Sequence, residues 1–107
     1  MATGEAYLQY ILDQLSGVEG LTTRAMMGEY LLYLNGKLAA YLCDDRLLVK
    51  PTPSALRLLP DAPWEAPYGG AKALPVMENV DDRAFLAALF AAMEPELPAP
   101  KPKKTRR

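Results

Sequence analysis

The pair Asn35-Gly36 constrains the fold more than any other feature of this sequence. It separates two largely apolar segments, Tyr30–Leu34 and Lys37–Cys43. Asn-Gly favours a two-residue type I′ hairpin turn, because both central residues of that turn need a positive φ. The pair Asp44-Asp45 is a weaker candidate for the next turn. Residues from about 22 to 50 are therefore predicted to form three antiparallel strands.

Two-residue turns also set the register, which places Tyr33 opposite Leu38 and Leu42 opposite Leu47. Side chains alternate between the two faces of a sheet, so this register divides the strands into two sets. We expect the core face to carry Leu31, Tyr33, Leu38, Ala40, Leu42, Leu47 and Val49. The other, mixed face would carry Tyr30, Leu32, Leu34, Lys37, Ala39, Tyr41, Arg46, Leu48 and Lys50.

Helical spacing of apolar residues marks the two ends of the domain. The stripes lie in Tyr7–Leu15 and Phe85–Met93, and each is suited to covering one face of the sheet. A short helix is predicted between Thr52, its candidate cap, and Pro60, with Pro53 in its first turn. A short strand is predicted at Leu74–Glu78. The fold class is therefore α+β in two layers, with N- and C-terminal helices packed on one face of an antiparallel sheet. The predicted order is helix, strands, short helix, strand or strands, helix.

Charge divides the chain into a body and a tail. Residues 1–94 carry a net charge of −5, whereas residues 95–107 carry +4 in a segment rich in proline and lysine. We expect residues 1–94 to form one domain and residues 95–107 to be disordered. The acidic body is not suited to nucleic acid, whereas the tail is suited either to weak non-specific binding or to solubility. The candidate contacts in the tail are Lys101, Lys103, Lys104, Arg106 and Arg107.

Residues for catalysis or metal binding are scarce. The sequence has no histidine and only one cysteine, Cys43, so we predict no enzyme, no catalytic residues, no metal and no cofactor. Cys43 is interpreted mainly as a small strand residue, with a reactive thiol as the alternative. No secretory signal or membrane-spanning segment is recognisable, so the expected location is the cytoplasm.

One stretch of the mixed face is predicted to form a recognition surface. In the expected register Tyr30, Leu32, Tyr41 and Leu48 form a contiguous patch, and Arg24 precedes it. The predicted rim of this patch is Lys37, Arg46 and Lys50. Apolar and aromatic patches rimmed by charge commonly mark interaction sites. The competing interpretation is a strand, a bulge at a glycine and a second strand, with cross-strand packing of the tyrosines.

The sequence resembles the N-terminal domain of the TfoX/Sxy family over about residues 5–93. The central resemblance is Arg24-x-Met26-x-Gly28-x-Tyr30-x-x-Tyr33-x-Asn35-Gly36-Lys37. Further similar segments are the opening helix Tyr7–Gly17, the turn and strand Asp44-Asp45-Arg46-Leu47-x-Val49-Lys50, Pro67-Tyr68 with the loop Gly69–Lys72, and the strand Leu74–Glu78.

The sequence also departs from the family pattern. Met27 stands where an aromatic residue usually precedes the glycine, and the tyrosines usual in the later strand are replaced near Val76-Met77. Full-length competence regulators of the family carry a second, helical C-terminal domain, whereas this sequence continues into a Pro/Lys tail. We therefore expect a stand-alone N-terminal domain. If the surface that carries these replacements binds a partner, its specificity should differ from that of other family members.

The resemblance implies helices on one face of an antiparallel sheet and a role in regulating bacterial DNA uptake. Well-known members act as transcriptional co-regulators with the cyclic-AMP receptor protein, and they are not enzymes. The leading hypothesis is therefore a regulatory module that contacts a transcription factor or the transcription machinery. The candidate partner-binding residues are Arg24, Gly28, Tyr30, Leu32, Tyr41, Leu48, Tyr68 and Lys72.

Two alternatives remain open. One is a stand-alone binding domain unrelated to competence, either a homodimer through the mixed sheet face or a module for a small ligand. The other is weak, non-specific nucleic-acid binding through the basic tail. Neither involves a membrane.

Overall fold

The computed structural model of the protein describes residues 4–26 and 28–98. Helix α1 (Glu5–Gln14) is followed by four strands, β1 (Leu21–Met26), β2 (Glu29–Leu34), β3 (Lys37–Cys43) and β4 (Arg46–Val49). Helix α2 (Pro53–Leu58), the short strands β5 (Trp64–Glu65) and β6 (Leu74–Pro75), helix α3 (Arg83–Met93) and a 3₁₀ turn (Glu94–Glu96) complete the described chain. None of the helices in these ranges is long and apolar enough to cross a lipid bilayer.

Strands β1 to β4 form an antiparallel sheet in sequence order. Both predicted turns are confirmed, since Asn35, Gly36, Asp44 and Asp45 all have positive φ angles. Strands β5 and β6 pair with each other, and a bridge between Leu48 and Val76 attaches them to the free side of β4. The fold is the expected α+β arrangement of an N-terminal helix, an antiparallel sheet and a C-terminal helix.

The helices pack on one face of the sheet. The buried stripe residues of α1 and α3 form one core cluster with residues of β2, β3 and β4, as the helical spacing predicts. The sheet residues in this cluster are Leu32, Leu34, Ala39, Ala40, Leu42, Leu47 and Val49. The predicted faces are therefore correct for Ala40, Leu42, Leu47 and Val49. They are inverted for β2, and Ala39, predicted on the mixed face, lies in the core.

An extra residue in β3 explains the inversion. Tyr33 pairs with Leu38 as predicted, but Leu32 pairs with Ala40, so Ala39 is passed over and the register shifts. Both alanines are completely buried, and the Ala39 carbonyl accepts a hydrogen bond of 2.9 Å from the Lys50 backbone N–H. A β-bulge of this kind redirects the side chains that precede it. Tyr30, Leu32 and Leu34 consequently face the helices, whereas Leu31 and Tyr33 face away from them.

Local capping holds α2 and α3 in place. The Thr52 hydroxyl accepts the Ala55 N–H at 3.1 Å, which confirms the predicted cap of α2, and Pro53 opens the helix. The Asp82 carboxylate accepts the Phe85 N–H at 3.0 Å and caps α3. These caps satisfy backbone donors that have no partner within the helix.

Two residues assigned to the tail by the sequence analysis, Glu96 and Leu97, contact the body. The Glu96 carboxylate accepts hydrogen bonds from the Ser54 N–H at 2.9 Å and the Ser54 hydroxyl at 2.7 Å. Leu97 is only 5% exposed and belongs to the core cluster. The body therefore extends beyond the predicted boundary at residue 94. Residues 99–107 lie outside the described residues, so the proposed disorder of that part of the tail stays a prediction.

Substitutions at the neighbouring positions 32 and 33 test the shifted register. Leu32→Ala should lower the free energy of unfolding by about 2–5 kcal/mol, because Leu32 is completely buried in the core. Tyr33→Ala should cost about 1 kcal/mol, as at a partly exposed strand position. Urea unfolding of the two variants measures both values. A larger loss of unfolding free energy at Tyr33 than at Leu32 would contradict the shifted register and support the uniform one.

Two C-terminal truncations test where the folded body ends. Removing residues 99–107 should leave the melting temperature within about 2 °C, whereas removing residues 95–107 should lower it by about 6 °C or more. The difference follows from losing buried Leu97, worth about 1.5–3 kcal/mol, in a domain where each kcal/mol shifts the melting temperature by about 4–8 °C. Differential scanning calorimetry of both truncated chains measures the two melting temperatures. Equal melting temperatures would contradict the assignment of Leu97 to the core.

Candidate functional site

The face of the sheet turned away from the helices carries a row of side chains across all four strands. Arg24 pairs with Leu31, Leu31 pairs with Tyr41, and Tyr41 pairs with Leu48. Directly paired residues project from the same face of a sheet, so these four side chains are neighbours. We call this side of the sheet the outer face.

A loop between β5 and β6 covers part of the outer face. The Arg46 guanidinium holds the start of this loop, with 2.6 Å to the Glu65 carboxylate and 3.3 Å to the Ala66 carbonyl. The Tyr68 ring then meets the Tyr41 ring edge-on, with centroids 6.4 Å apart and planes 66° from parallel. Edge-to-face contacts at this distance are favourable between aromatic rings.

Under this loop lies a second, smaller apolar cluster formed by Cys43, Leu48, Leu74 and Val76. Tyr41 packs against it and stays half-buried. The β4 side of the outer face is therefore closed. None of the helices among residues 4–26 and 28–98 packs on the side formed by β1, β2 and the middle of β3, because the helical stripes belong to the other cluster.

Among the described residues, this open side and the adjacent loop carry Arg24 and three tyrosine rings. Arg24 is exposed, Tyr33 and Tyr41 are half-buried, and Tyr68 is 45% exposed. Burial, and next the neighbouring Tyr68 hydroxyl, raise the pKa of Tyr41 above its ordinary value, and Tyr33 contributes in the same direction. We call Arg24, Tyr33, Tyr41 and Tyr68 the outer-face patch.

Comparison with known proteins identifies the domain. The family model described as the TfoX N-terminal domain matches residues 13–90. The chain belongs to the TfoX N-terminal domain family. A protein of Spirochaeta aurantia, described as an uncharacterized 12.7 kDa protein in the trpE 5′ region, is 35% identical over 107 residues. That alignment spans 99% of this chain and 93% of the relative. No solved structure matches the chain.

The match to the TfoX N-terminal domain begins within α1 and ends within α3. It therefore includes the complete sheet and every residue of the outer-face patch. The expected resemblance to this family is confirmed, together with the α+β fold that it implied.

Within this TfoX N-terminal domain, the predicted patch of Tyr30, Leu32, Tyr41 and Leu48 is not formed. Tyr30 and Leu32 lie on the helix side because of the bulge at Ala39. Leu48 is on the outer face but is completely buried beneath the loop. Only Tyr41 remains on an accessible part of the outer face.

The rim predicted around that patch is also divided between the two sides. The Lys37 ammonium lies 2.7 Å from the Glu94 carboxylate, so Lys37 belongs to the helix side. Arg46 stays on the outer face but is engaged by the loop.

The other predicted contact residues have different positions. Arg24 and Tyr68 join Tyr41 in the outer-face patch, although they are 44 positions apart in the sequence. Gly28 forms the turn between β1 and β2 with φ of +83°. Lys72 is exposed in the loop that follows Tyr68. The tail cations Lys101, Lys103, Lys104, Arg106 and Arg107 lie outside the described residues.

Sequence reasoning missed Tyr33 as a member of the patch and Arg46 as the anchor of the loop. A uniform alternation assigns Tyr33 to the core, and only the bulge moves it to the outer face. The contact of Arg46 with Glu65 and Ala66 joins segments about twenty residues apart and has no local signal.

Cys43 lies in a setting that suppresses thiol chemistry. Burial raises the pKa of the Cys43 thiol to about 12, and a hydrogen bond with Glu29 acts in the same direction. The thiolate is the reactive form of cysteine, so this thiol is a poor nucleophile at neutral pH. Across residues 4–26 and 28–98, no group of three or more Cys, Asp or Glu side chains could hold a metal ion.

Thiol labelling tests the setting of Cys43. At pH 8 the native protein should react with an aromatic disulfide reagent at least about a hundredfold more slowly than the urea-unfolded chain, whose thiol has a pKa near about 8.5. The release of the chromophore measures both rates. A native rate within tenfold of the unfolded rate would contradict the buried, protonated thiol.

Proposed function

We propose that this TfoX N-terminal domain is a non-catalytic regulatory module of the cytoplasm that contacts a transcription factor or the transcription machinery. The outer-face patch is the proposed contact surface. The observation that carries the proposal is the outer face of the sheet, which carries Arg24 and Tyr33 beside the Tyr41–Tyr68 ring contact in a domain of this family. The corresponding biological role is control of DNA-uptake genes.

The composition of the patch supports protein recognition. Arginine and tyrosine are enriched among the residues that dominate binding energy at protein interfaces. Tyrosine offers a large contact area and a hydroxyl while losing few rotatable bonds. A surface of three tyrosines and one arginine is therefore better suited to a protein partner than to catalysis.

The patch is also held in a defined shape. Tyr41 packs on the buried cluster beneath the loop, and the contacts of Arg46 hold the loop that carries Tyr68. A surface that is already ordered loses less conformational freedom on binding, which favours affinity.

Charge supports a protein partner over nucleic acid at this surface. The body carries a net charge of −5 between residues 1 and 94. Recognition of a phosphate backbone depends on neutralising several phosphates with lysine and arginine. Arg24 is the single cation of the outer-face patch, which is too little for that mode of binding.

Affinity capture from the native host, with the full chain as bait, tests this proposal. The double variant Arg24→Glu with Tyr68→Ser should recover at least tenfold less of a transcription factor or RNA polymerase subunit than the unchanged chain, because both side chains lie in the patch. Both residues are exposed, so the free energy of unfolding should change by less than about 1 kcal/mol. Transcript levels of DNA-uptake genes in cells with each variant provide the second measurement.

The control is a matched double variant on α2, Leu56→Ser with Arg57→Glu. Both residues are exposed, and they reproduce the chemistry of the test substitutions away from the outer-face patch. Equal recovery with the patch variant, or equal loss with the α2 variant, would contradict the patch as the contact surface. A captured partner outside transcription would contradict the regulatory role.

A further inference from the structure

A groove of about 340 Å³ lies between the end of α2 and the start of α3, and none of its lining residues belongs to the outer-face patch. Its apolar part includes Leu58, Val76, Met77 and Phe85. Val76 and Met77 are nearly completely buried, so the floor of the groove is part of the packed body. Leu58 and Phe85 are half-buried and form its apolar sides.

The rim of this groove is acidic. Asp61, Glu78 and Asp82 line it and are all exposed, and none of its lining residues is a lysine or arginine. The two nearest cations along the chain are engaged elsewhere: the Arg57 guanidinium lies 3.3 Å from the Ser54 hydroxyl, and that of Arg83 lies 3.2 Å from the Asp13 carboxylate. The groove therefore favours an occupant with both positive charge and apolar surface.

The chain itself contains a segment with that chemistry. Residues 98–107 carry five lysines and arginines and no acidic residue, together with Pro98, Pro100 and Pro102. Lysine stems and proline rings are apolar, whereas the lysine ammonium groups complement carboxylates.

The start of this segment lies within reach of the groove. The Glu96 carboxylate is bound to Ser54 at the first turn of α2, and Leu97 is buried. The six residues of α2 cover about 9 Å at 1.5 Å per residue, and the helix ends at Leu58 in the groove. Four residues in a polyproline conformation would cover about 12 Å, a span long enough for Lys101 to reach the groove.

We propose that the basic C-terminal tail docks into this groove of its own chain. Lys101, Lys103 and Lys104 pair with Asp61 and Glu78, and the proline rings and lysine stems cover the apolar floor. Exposed ion pairs are individually weak, but a short tether gives the tail an effective concentration on the order of millimolar. Weak contacts are then sufficient for a partly docked tail, too weakly held to shift the melting temperature by more than about 2 °C. The docked tail is also withheld from nucleic acid. The groove shares no residue with the outer-face patch, so this inference does not depend on the function proposed for that patch.

Carbodiimide cross-linking of the full chain tests the docking, because it joins a lysine to a carboxylate only when the two are in contact. Peptide mass spectrometry should find Lys101, Lys103 or Lys104 joined to Asp61 or Glu78. The yield should fall several-fold between 50 mM and 500 mM NaCl, since salt screens exposed charges. The pair of Lys37 and Glu94, whose charged atoms are 2.7 Å apart, serves as the internal positive control.

Two further arms make the result specific. Asp61→Asn with Glu78→Gln should lower the total cross-linking yield of the tail lysines at least fivefold, whereas Glu5→Gln with Glu19→Gln, at exposed positions that do not line the groove, should leave it unchanged. A mixture of ¹⁴N- and ¹⁵N-labelled chains distinguishes cross-links within one chain from those between chains. Tail cross-links only between chains, equal yields with both double variants, or no tail cross-links while Lys37 and Glu94 are joined would each overturn the proposal.

Discussion

The extra residue at Ala39 determines how the rest of the sheet is used. Before the bulge, the two-residue turn at Asn35-Gly36 pairs Tyr33 with Leu38; after it, Leu32 pairs with Ala40. This shift places Leu32 in the core and Tyr33 outside it. Without the shift, β2 would present Tyr33 to the helices and leave Leu32 on the outer face, so the core and the outer-face patch depend on the same bulge.

Most of the architecture follows from patterns that are local in the sequence. The apolar stripes of α1 and α3, the positive φ angles at Asn35-Gly36 and Asp44-Asp45, and the Thr52-Pro53 start of α2 were all predictable. Each depends on residues within a few positions of one another, where backbone sterics and helical periodicity act directly. Family membership was predictable for a related reason, because the order and spacing of such signals extend over nearly the whole body.

The candidate site was only partly predictable because it depends on non-local contacts. Two adjacent alanines give no clear signal for a bulge, and a one-residue shift moves Tyr30, Leu32 and Tyr33 to the opposite face. The contact of Tyr68 with Tyr41 and the anchoring of the loop by Arg46 join segments that are distant in sequence. Leu48 was placed on the correct face, yet this loop buries it. The alternation of side chains along a strand predicts which face a residue lies on, but not whether a distant loop covers that face.

The most direct test of this account is the measurement of cross-strand proton contacts between β2 and β3 by nuclear Overhauser spectroscopy. We predict backbone contacts of Leu31 with Tyr41 and of Leu32 with Ala40, together with contacts between Leu32 methyl groups and the helices. Contacts of Leu31 with Ala40 and of the Tyr33 ring with α1 or α3 would contradict it. That result would return Tyr33 to the core and remove it from the outer-face patch.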